Sequence, residues 1–367
     1  MSINATTVSA GEALAVLEAG WQAQAQGGLT ASWMLHGRPG VGKTELVQTL
    51  AARIGADLFD LRLTTIEPQD LRGLPYFDHA TAKTIWYRPE DLPDSDAPAI
   101  LFLDELTAAA PALQPTVYGL LQERRVGRHR LPGSVMIIAA GNRVEDGAIA
   151  YEMGTALSDR LIHMIVQASP EDWLTAYALP AGIHPSVAAF IRTRPDLLDT
   201  TEDSLRRGQM IACTPRSWTR VSQIMQTIPD RALRQVMIAG TVGEAPAAEF
   251  ALLADDIAAS VQIDLMLASP RRDRAALYPR SLHGLTALVY GLVGAVRGDT
   301  TARAIEILAD LRALSGPGFA GLPVQELASF GFEMLIARAL ERGWESAFAD
   351  SPDYAAYAAE RQAAGLP

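Results

Sequence analysis

A single cysteine, Cys213, in 367 residues leaves no partner for a disulfide and too few thiols for a cysteine-built zinc or iron–sulfur site. The six histidines are scattered without His-x-x-x-His or related spacing, which argues against a dedicated transition-metal centre. Positive charge is short: 31 Lys+Arg face 42 Asp+Glu, a formal net charge of −11. A chain that binds nucleic acid through phosphate contacts wants the opposite sign, so such a partner is disfavoured unless a local basic strip serves it. Long apolar runs are missing too. The longest, Leu285 to Val296, carries two glycines and falls short of the roughly 20 residues that a bilayer span needs. With no charged-then-apolar segment opening the chain, a soluble, cytoplasmic protein is expected. Lysine is scarcest of all. Only Lys43 and Lys83 occur among the 31 basic residues. Where arginine is the default, a retained lysine points to chemistry that a guanidinium fork cannot perform.

What is present is ordinary globular material, 49% hydrophobic and 20% charged. Single cores stop growing beyond roughly 250–300 residues, so two or three domains are expected. Residues 10–26 read as an amphipathic helix closed by Gly27-Gly28. SWMLHG (32–37), DLFDLRLT (57–64), PAILFLDE (98–105), VMIIAAGN (135–142) and HMIVQ (163–167) read as strands, two of them apolar enough for burial on both faces. Between them lie a helix from Lys43, a loop or short hairpin insertion over 65–94, a helix over Ala110–Arg125 with Pro111 in its first turn, and a polar hairpin at VGRHRLPG. Strands alternating with helices predict a parallel sheet covered on both faces. After Ser169 the spacing turns helical: Pro170–Ala178, Pro185–Thr193, Pro215–Thr227, Asp230–Gly240, Ala245–Ala268, Leu282–Arg297, Thr300–Leu314 and Pro323–Arg342. A composition break at SPRRDR (269–274) divides these helices into two groups. The expected organisation is an α/β core over 1–168, a helical unit over 169–268 and a helical C-terminal extension over 269–367.

Gly37-Arg38-Pro39-Gly40-Val41-Gly42-Lys43-Thr44 fits G-x-x-x-x-G-K-[ST] between a strand and a helix, the placement a phosphate-binding loop requires. Gly40 and Gly42 let successive N–H groups point at a phosphate, and the helix start adds its positive dipole end. Lys43 would reach the β/γ-phosphates and Thr44 would bind Mg²⁺, with Gly37 through Glu45 forming the nucleotide-contacting stretch. ILFLDE (100–105) is the companion element. Asp104 emerges at the C-terminal end of a buried strand, where it would hold the Mg²⁺ shell, and Glu105 would polarise an attacking water. Asn142 ends the next strand. It reads equally as a water-orienting amide and as a turn residue helped by Gly141.

The order GRPGVGKT, ILFLDE, GN, ALSDRL (156–161) and TPRSW (214–218) resembles the AAA+ ATPases. TTIEPQDLRGLP (64–75) followed by WYRPEDLP (86–93) resembles the insertion of the MoxR-like branch. The likeness covers about Trp33 to Ile224. It implies an αβα nucleotide core with a helical lid over 169–268, and ATP and Mg²⁺ as ligands. It further implies a homo-oligomeric ring, most often a hexamer, and action as a chaperone that remodels or activates a protein client, commonly with a von Willebrand factor A domain partner. By the same resemblance Arg160 is the arginine that reaches the neighbouring subunit's nucleotide, with Arg143 as a rival, and Arg216 is a second nucleotide-sensing arginine. The alternative within the superfamily is a nucleic-acid motor or loader, for which Arg124, Arg125, Arg128, His129 and Arg130 are the support; a solvated hairpin is the plainer reading of that cluster. Trp86-Tyr87-Arg88 could grip a threaded polypeptide or simply pack the insertion. Arg38 and Val41 depart from the small or hydroxyl residues common in such loops without blocking the N–H contacts. Cys213 is expected to be inert packing.

Overall fold

The computed structural model describes residues 3–146, 155–363 and 365. The chain folds as two compact units, Met1–Ser169 with Thr201–Gly208, and Pro170–Thr200 with Gln209–Pro367.

In the first unit, β1 (Thr7–Val8) leads into α1 (Ala10–Ala25). The helix starts in a capping box: the Glu12 N–H donates to Ser9 Oγ and the Ser9 N–H to the Glu12 carboxylate. Then follow β2 (Ser32–His36), α2 (Lys43–Ile54), β3 (Asp57–Arg62), α3 (Pro68–Arg72) and the hairpin of β4 (Pro75–Asp78) and β5 (Lys83–Trp86). β6 (Ala99–Asp104), α4 (Gln114–Glu123), the hairpin of β7 (Arg125–Val126) and β8 (His129–Arg130), β9 (Val135–Gly141), α5 (Thr155–Ser158) and β10 (Leu161–Val166) complete it.

Six of these strands form one parallel sheet in the order β1-β10-β2-β9-β6-β3. Every residue of β6 and β9 is buried, which is why both read as unbroken apolar runs. Alternate residues serve the two faces. Trp33, Leu35, Ile100, Phe102 and Ile138 pack with residues of α1 and α2, while Met34, Leu101, Leu103, Ile137 and Ala139 pack with residues of α4. From β2 the chain runs to the far edge at β3, returns through β6 and β9, and then crosses to the other side of β2 to lay down β10. That reversal makes the C-terminal end of β2 the place where an open α/β sheet leaves a crevice.

The second unit is helical throughout its described residues. Helices on either side of 269–274 fall within it, among them Glu244–Ser260, Leu282–Ala295, Thr301–Ala313 and Val324–Arg342. Trp218 is fully buried against the rings of Phe190 and Phe250, and its indole N–H donates to the Leu197 carbonyl at 2.7 Å.

Three local readings need correction. The helix expected over Ala110–Arg125 begins only at Gln114, with Pro115 rather than Pro111 in its first turn. Ala109 is extended, and the residue before Pro111 is disfavoured in helical conformation by the proline ring. The helix expected over Ala245–Ala268 is two helices, Glu244–Ser260 and Ile263–Ala268. Between them Val261 turns extended and packs onto Ala189, Ile257 and Ala287, so tertiary contact outweighs helical continuity. The two-residue strand β1 and the helices Thr201–Arg206 and Pro352–Ala363 were not anticipated; β1 is too short to carry a period.

Candidate functional site

Because the sheet is parallel, β2, β6 and β9 all deliver their last residues to the same edge. The loop from Gly37 to Gly42 leaves β2 there, and α2 starts from it. Gly42 has φ +102°, a conformation L side chains resist, so the turn into the helix needs glycine at this point. Lys43 is buried, and its Nζ donates to the Gly37 carbonyl at 2.6 Å, the Arg38 carbonyl at 3.0 Å and Asn142 Oδ1 at 3.2 Å. The Thr44 hydroxyl donates to Asp104 Oδ2 at 3.3 Å. Asp104 is itself buried, and its Oδ1 accepts the Glu105 N–H at 2.9 Å.

Glu105 is one of three non-glycine residues with positive φ among the described residues, at φ 59° and ψ 34°. Such a left-handed backbone costs of order 1 kcal/mol and persists only where the surroundings dictate it. Here it turns the chain at the end of β6, and the Glu105 carboxylate accepts the Thr64 hydroxyl proton. Asn142 follows β9, and its carbonyl accepts from the Thr107 hydroxyl at 2.9 Å. Gly141 makes that bond possible. A Cβ there would lie 2.6 Å from Thr107 Oγ1.

Lys43, Thr44, Asp104, Glu105 and Asn142 therefore converge at one sheet edge in two hydrogen-bonded sets, Lys43 with Asn142 and Thr44 with Asp104 and Glu105, joined through the adjacent residues Lys43 and Thr44. A threonine hydroxyl beside a carboxylate is an oxygen-only donor pair suited to Mg²⁺, which takes one or two protein oxygens and completes its octahedron with water and phosphate. Among the described residues no group of three or more His, Cys, Asp and Glu converges on a metal position. The loop glycines and buried Lys43 fit a polyphosphate. Pro39 and Glu45 are exposed, and Val41 is buried in the core beside α2, which explains a bulky residue in the loop.

The arginines divide. Arg143 is engaged by its own neighbours: its guanidinium reaches Asp146 at 2.7 Å and Glu145 at 2.7 Å, and the bonds to Asp146 raise its pKa. Arg38 pairs with Glu202 at 2.9 Å and lies 3.7 Å from Asp146. Arg160 is exposed on the turn between α5 and β10, and its N–H donates to the Leu157 carbonyl at 3.1 Å. Arg216 is exposed on the first turn of Pro215–Thr227 and belongs to the second unit.

The two hairpins separate structural from available cations. Arg124 is half-buried and donates to the Pro132 and Val135 carbonyls, Arg88 donates to those of Leu92, Pro93 and Arg130, and Arg125 pairs with Glu123. Arg72, Lys83, Trp86, Arg128 and His129 instead line an open cleft of about 370 Å³, with the Arg72 guanidinium 4.5 Å over the Trp86 ring. Tyr87 is exposed and stacked on Tyr76. Cys213 is fully buried, and that burial pushes its thiol up to about 11. Thr64 and Thr107 were missed from sequence because a threonine at a strand end carries no distinguishing pattern.

Residues 32–161 match the AAA domain of the dynein-related subfamily. The mouse ATPase family gene 2 protein homolog B is 35% identical over 104 residues, which is 28% of this chain and 12% of that protein. The uncharacterized protein YeaC of Bacillus subtilis (strain 168) is 28% identical over 160 residues, 41% of this chain and 48% of that protein. The chain thus spans less than half the length of these curated relatives. The structure of the Thermotoga maritima RuvB Holliday junction branch migration motor superposes with a TM-score of 0.36 at 17% identity, covering 79% of this chain and 82% of that one. At that score the superposition carries no weight.

Proposed function

From the match of residues 32–161 to the AAA domain of the dynein-related subfamily, we propose that the chain is an AAA+ protein that hydrolyses ATP in a homo-oligomeric ring, of the MoxR-like type, to remodel or activate a protein client. The observation that carries the hydrolytic part is the convergence of Lys43, Thr44, Asp104, Glu105 and Asn142 at one sheet edge, with Lys43 Nζ 3.2 Å from Asn142 and Thr44 3.3 Å from Asp104. Lys43 neutralises phosphate charge, and Thr44 with Asp104 would hold Mg²⁺. When bound, that ion supplies Lewis-acid polarisation of the phosphate oxygens. Glu105 takes a proton from the attacking water, and Asn142 orients that water or the γ-phosphate. Arg160 is the cation offered to a neighbouring subunit's nucleotide, where a guanidinium stabilises charge growing on the transferred group. Its rival Arg143 is committed to Asp146 and Glu145 within its own subunit. Arg216 is proposed as a nucleotide sensor, and the hexameric state and a von Willebrand factor A domain partner are proposed with the MoxR-like assignment.

Glu105→Gln tests the hydrolytic reading. The amide fits the same space but accepts no proton, so ATP affinity should stay within about threefold while turnover falls at least ~100-fold, the ordinary size of a general-base contribution. Turnover near the wild-type rate would overturn the role of Glu105. A second reading, a nucleic-acid motor, is favoured by the basic cleft of Arg72, Lys83, Arg128 and His129. It requires DNA binding that weakens steeply with salt; binding absent at low salt removes it.

A further inference from the structure

Two histidines outside the nucleotide cluster connect its loop to the turn that carries Arg160. His36 is the last residue of β2, directly before Gly37, and is buried. His163 lies on neighbouring β10, opposite Met34 in the parallel register, so period-two alternation puts both imidazoles on one face of the sheet. His36 Nε2 and His163 Nδ1 are 2.8 Å apart. The ring centroids are 5.1 Å apart with an interplanar angle of 7°, and the nitrogens are closer than face-stacked rings allow, so the rings meet edge to edge in one plane. His163 Nε2 lies 2.9 Å from the Ser158 carbonyl.

Hydrogen-bond accounting fixes every proton in this chain. A carbonyl only accepts, so His163 Nε2 carries a hydrogen and donates to Ser158. In neutral His163 the Nδ1 is then an acceptor, and His36 Nε2–H must donate to it. His36 Nδ1 is left bare, and that buried atom has no hydrogen-bond partner among the described residues. Adding a proton to either ring would strand an N–H at that atom without an acceptor, at the cost of a buried unsatisfied donor. Burial is also the main reason the His36 pKa falls to about 4.

Ser158 ends α5, and the Arg160 N–H donates to Leu157 two residues into the same turn. The turn is therefore held twice, by its own backbone bond and by His163. We infer that His163 is a positioning residue: its bond to the Ser158 carbonyl sets the turn from which Arg160 projects, and His36 locks His163 in the donating tautomer from the base of the phosphate loop. The pair thereby joins a subunit's own phosphate loop to the arginine it offers its neighbour. This rests on the reading of Arg160 as the arginine acting in trans.

The test compares kcat and KM for ATP in His163→Asn, His163→Gln and Arg160→Ala, with thermal melting of each. Asparagine ends near the Nδ1 position and cannot reach Ser158; glutamine places an N–H near the Nε2 position and can. His163→Asn should lower kcat at least ~10-fold with KM within about twofold, the signature of an interaction made only in the transition state. His163→Gln should recover kcat to within about threefold of wild type. Wild-type kcat in a folded His163→Asn, a KM change as large as the kcat change, or a folded His163→Gln as slow as Arg160→Ala would each overturn the proposal. If His163→Asn does not fold, the glutamine variant decides alone. Slow Arg160→Ala beside fast His163→Asn removes only the positioning role, whereas normal turnover in Arg160→Ala removes the reading beneath it.

Discussion

Among the described residues each of the two units buries one lysine or arginine side chain, and they are held differently. In the second unit Arg274 is 1% exposed; its Nη2 donates to the Glu306 carboxylate at 2.9 Å and its Nε to the Ser269 carbonyl at 3.0 Å. In the first unit Lys43 is 9% exposed, and its hydrogen bonds include those to two backbone carbonyls and an amide oxygen. A guanidinium paired with a carboxylate through Nη2 is spoken for and ties the Arg271–Leu277 segment to Thr301–Ala313. The Lys43 ammonium is a compact point charge set among the carbonyls of the Gly37–Gly42 loop, a shape suited to a phosphate. Burial alone therefore does not mark a functional cation; its place in the fold does.

The sharpest way to break this contrast is to remove each cation in turn. Lys43→Ala should raise the Kd for ATP roughly 100-fold, about 3 kcal/mol, while thermal melting without nucleotide moves little. Unchanged affinity by calorimetric titration would show that Lys43 is only a structural plug. Arg274→Met should do the reverse, costing about 2 kcal/mol in urea melts with ATP affinity within twofold. That is below the usual penalty for breaking a buried pair because Glu306 retains solvent contact. An Arg274→Met protein as stable as wild type would mean that the buried pair contributes nothing net.

A smaller effect concerns the histidines behind the phosphate loop. Burial first, then the neighbouring His163 imidazole and the charges of Arg143 and Lys43, push the His36 pKa from 6.5 to about 4, with Asp146 opposing. Between those values the unfolded chain binds a proton that the native chain refuses. Stability therefore rises with pH across that window and is lost as the solution is acidified through it, by at most ~1.4 kcal/mol per pH unit. Urea melts over the window should show a shallower slope for His36→Gln than for wild type. Equal slopes would place the acid sensitivity elsewhere.

These contrasts also explain what could be read from sequence. The turn at Gly37–Gly42 and the place of Asp104-Glu105 at a strand end were legible because the pattern is written in adjacent residues beside a strand. The sheet was legible from the apolar runs at 98–105 and 135–142, since burial on both faces removes polar residues. The supporting contacts were not. Thr64 meets Glu105 across 41 positions, Thr107 meets Asn142 across 35, and His36 meets His163 across 127. Parallel register alone brings these pairs together, and none of the residue types is unusual where it stands. Helix ends failed for a related reason, as at Val261, where packing on a distant helix outweighs local propensity.

The proposed site is shared, with one subunit's Glu105 working with another subunit's Arg160. It is tested most directly by mixing Arg160→Ala with Glu105→Gln after energy transfer between labelled chains has shown that subunits exchange. Each variant alone should be nearly inactive, since a finger of this kind is worth roughly 10³–10⁵ in turnover and a base roughly 10²–10⁴. In mixed assemblies some interfaces pair an intact Arg160 with an intact Glu105, and ATP turnover should rise well above the sum of the two variants. Demonstrated exchange with turnover no greater than that sum would contradict the shared site.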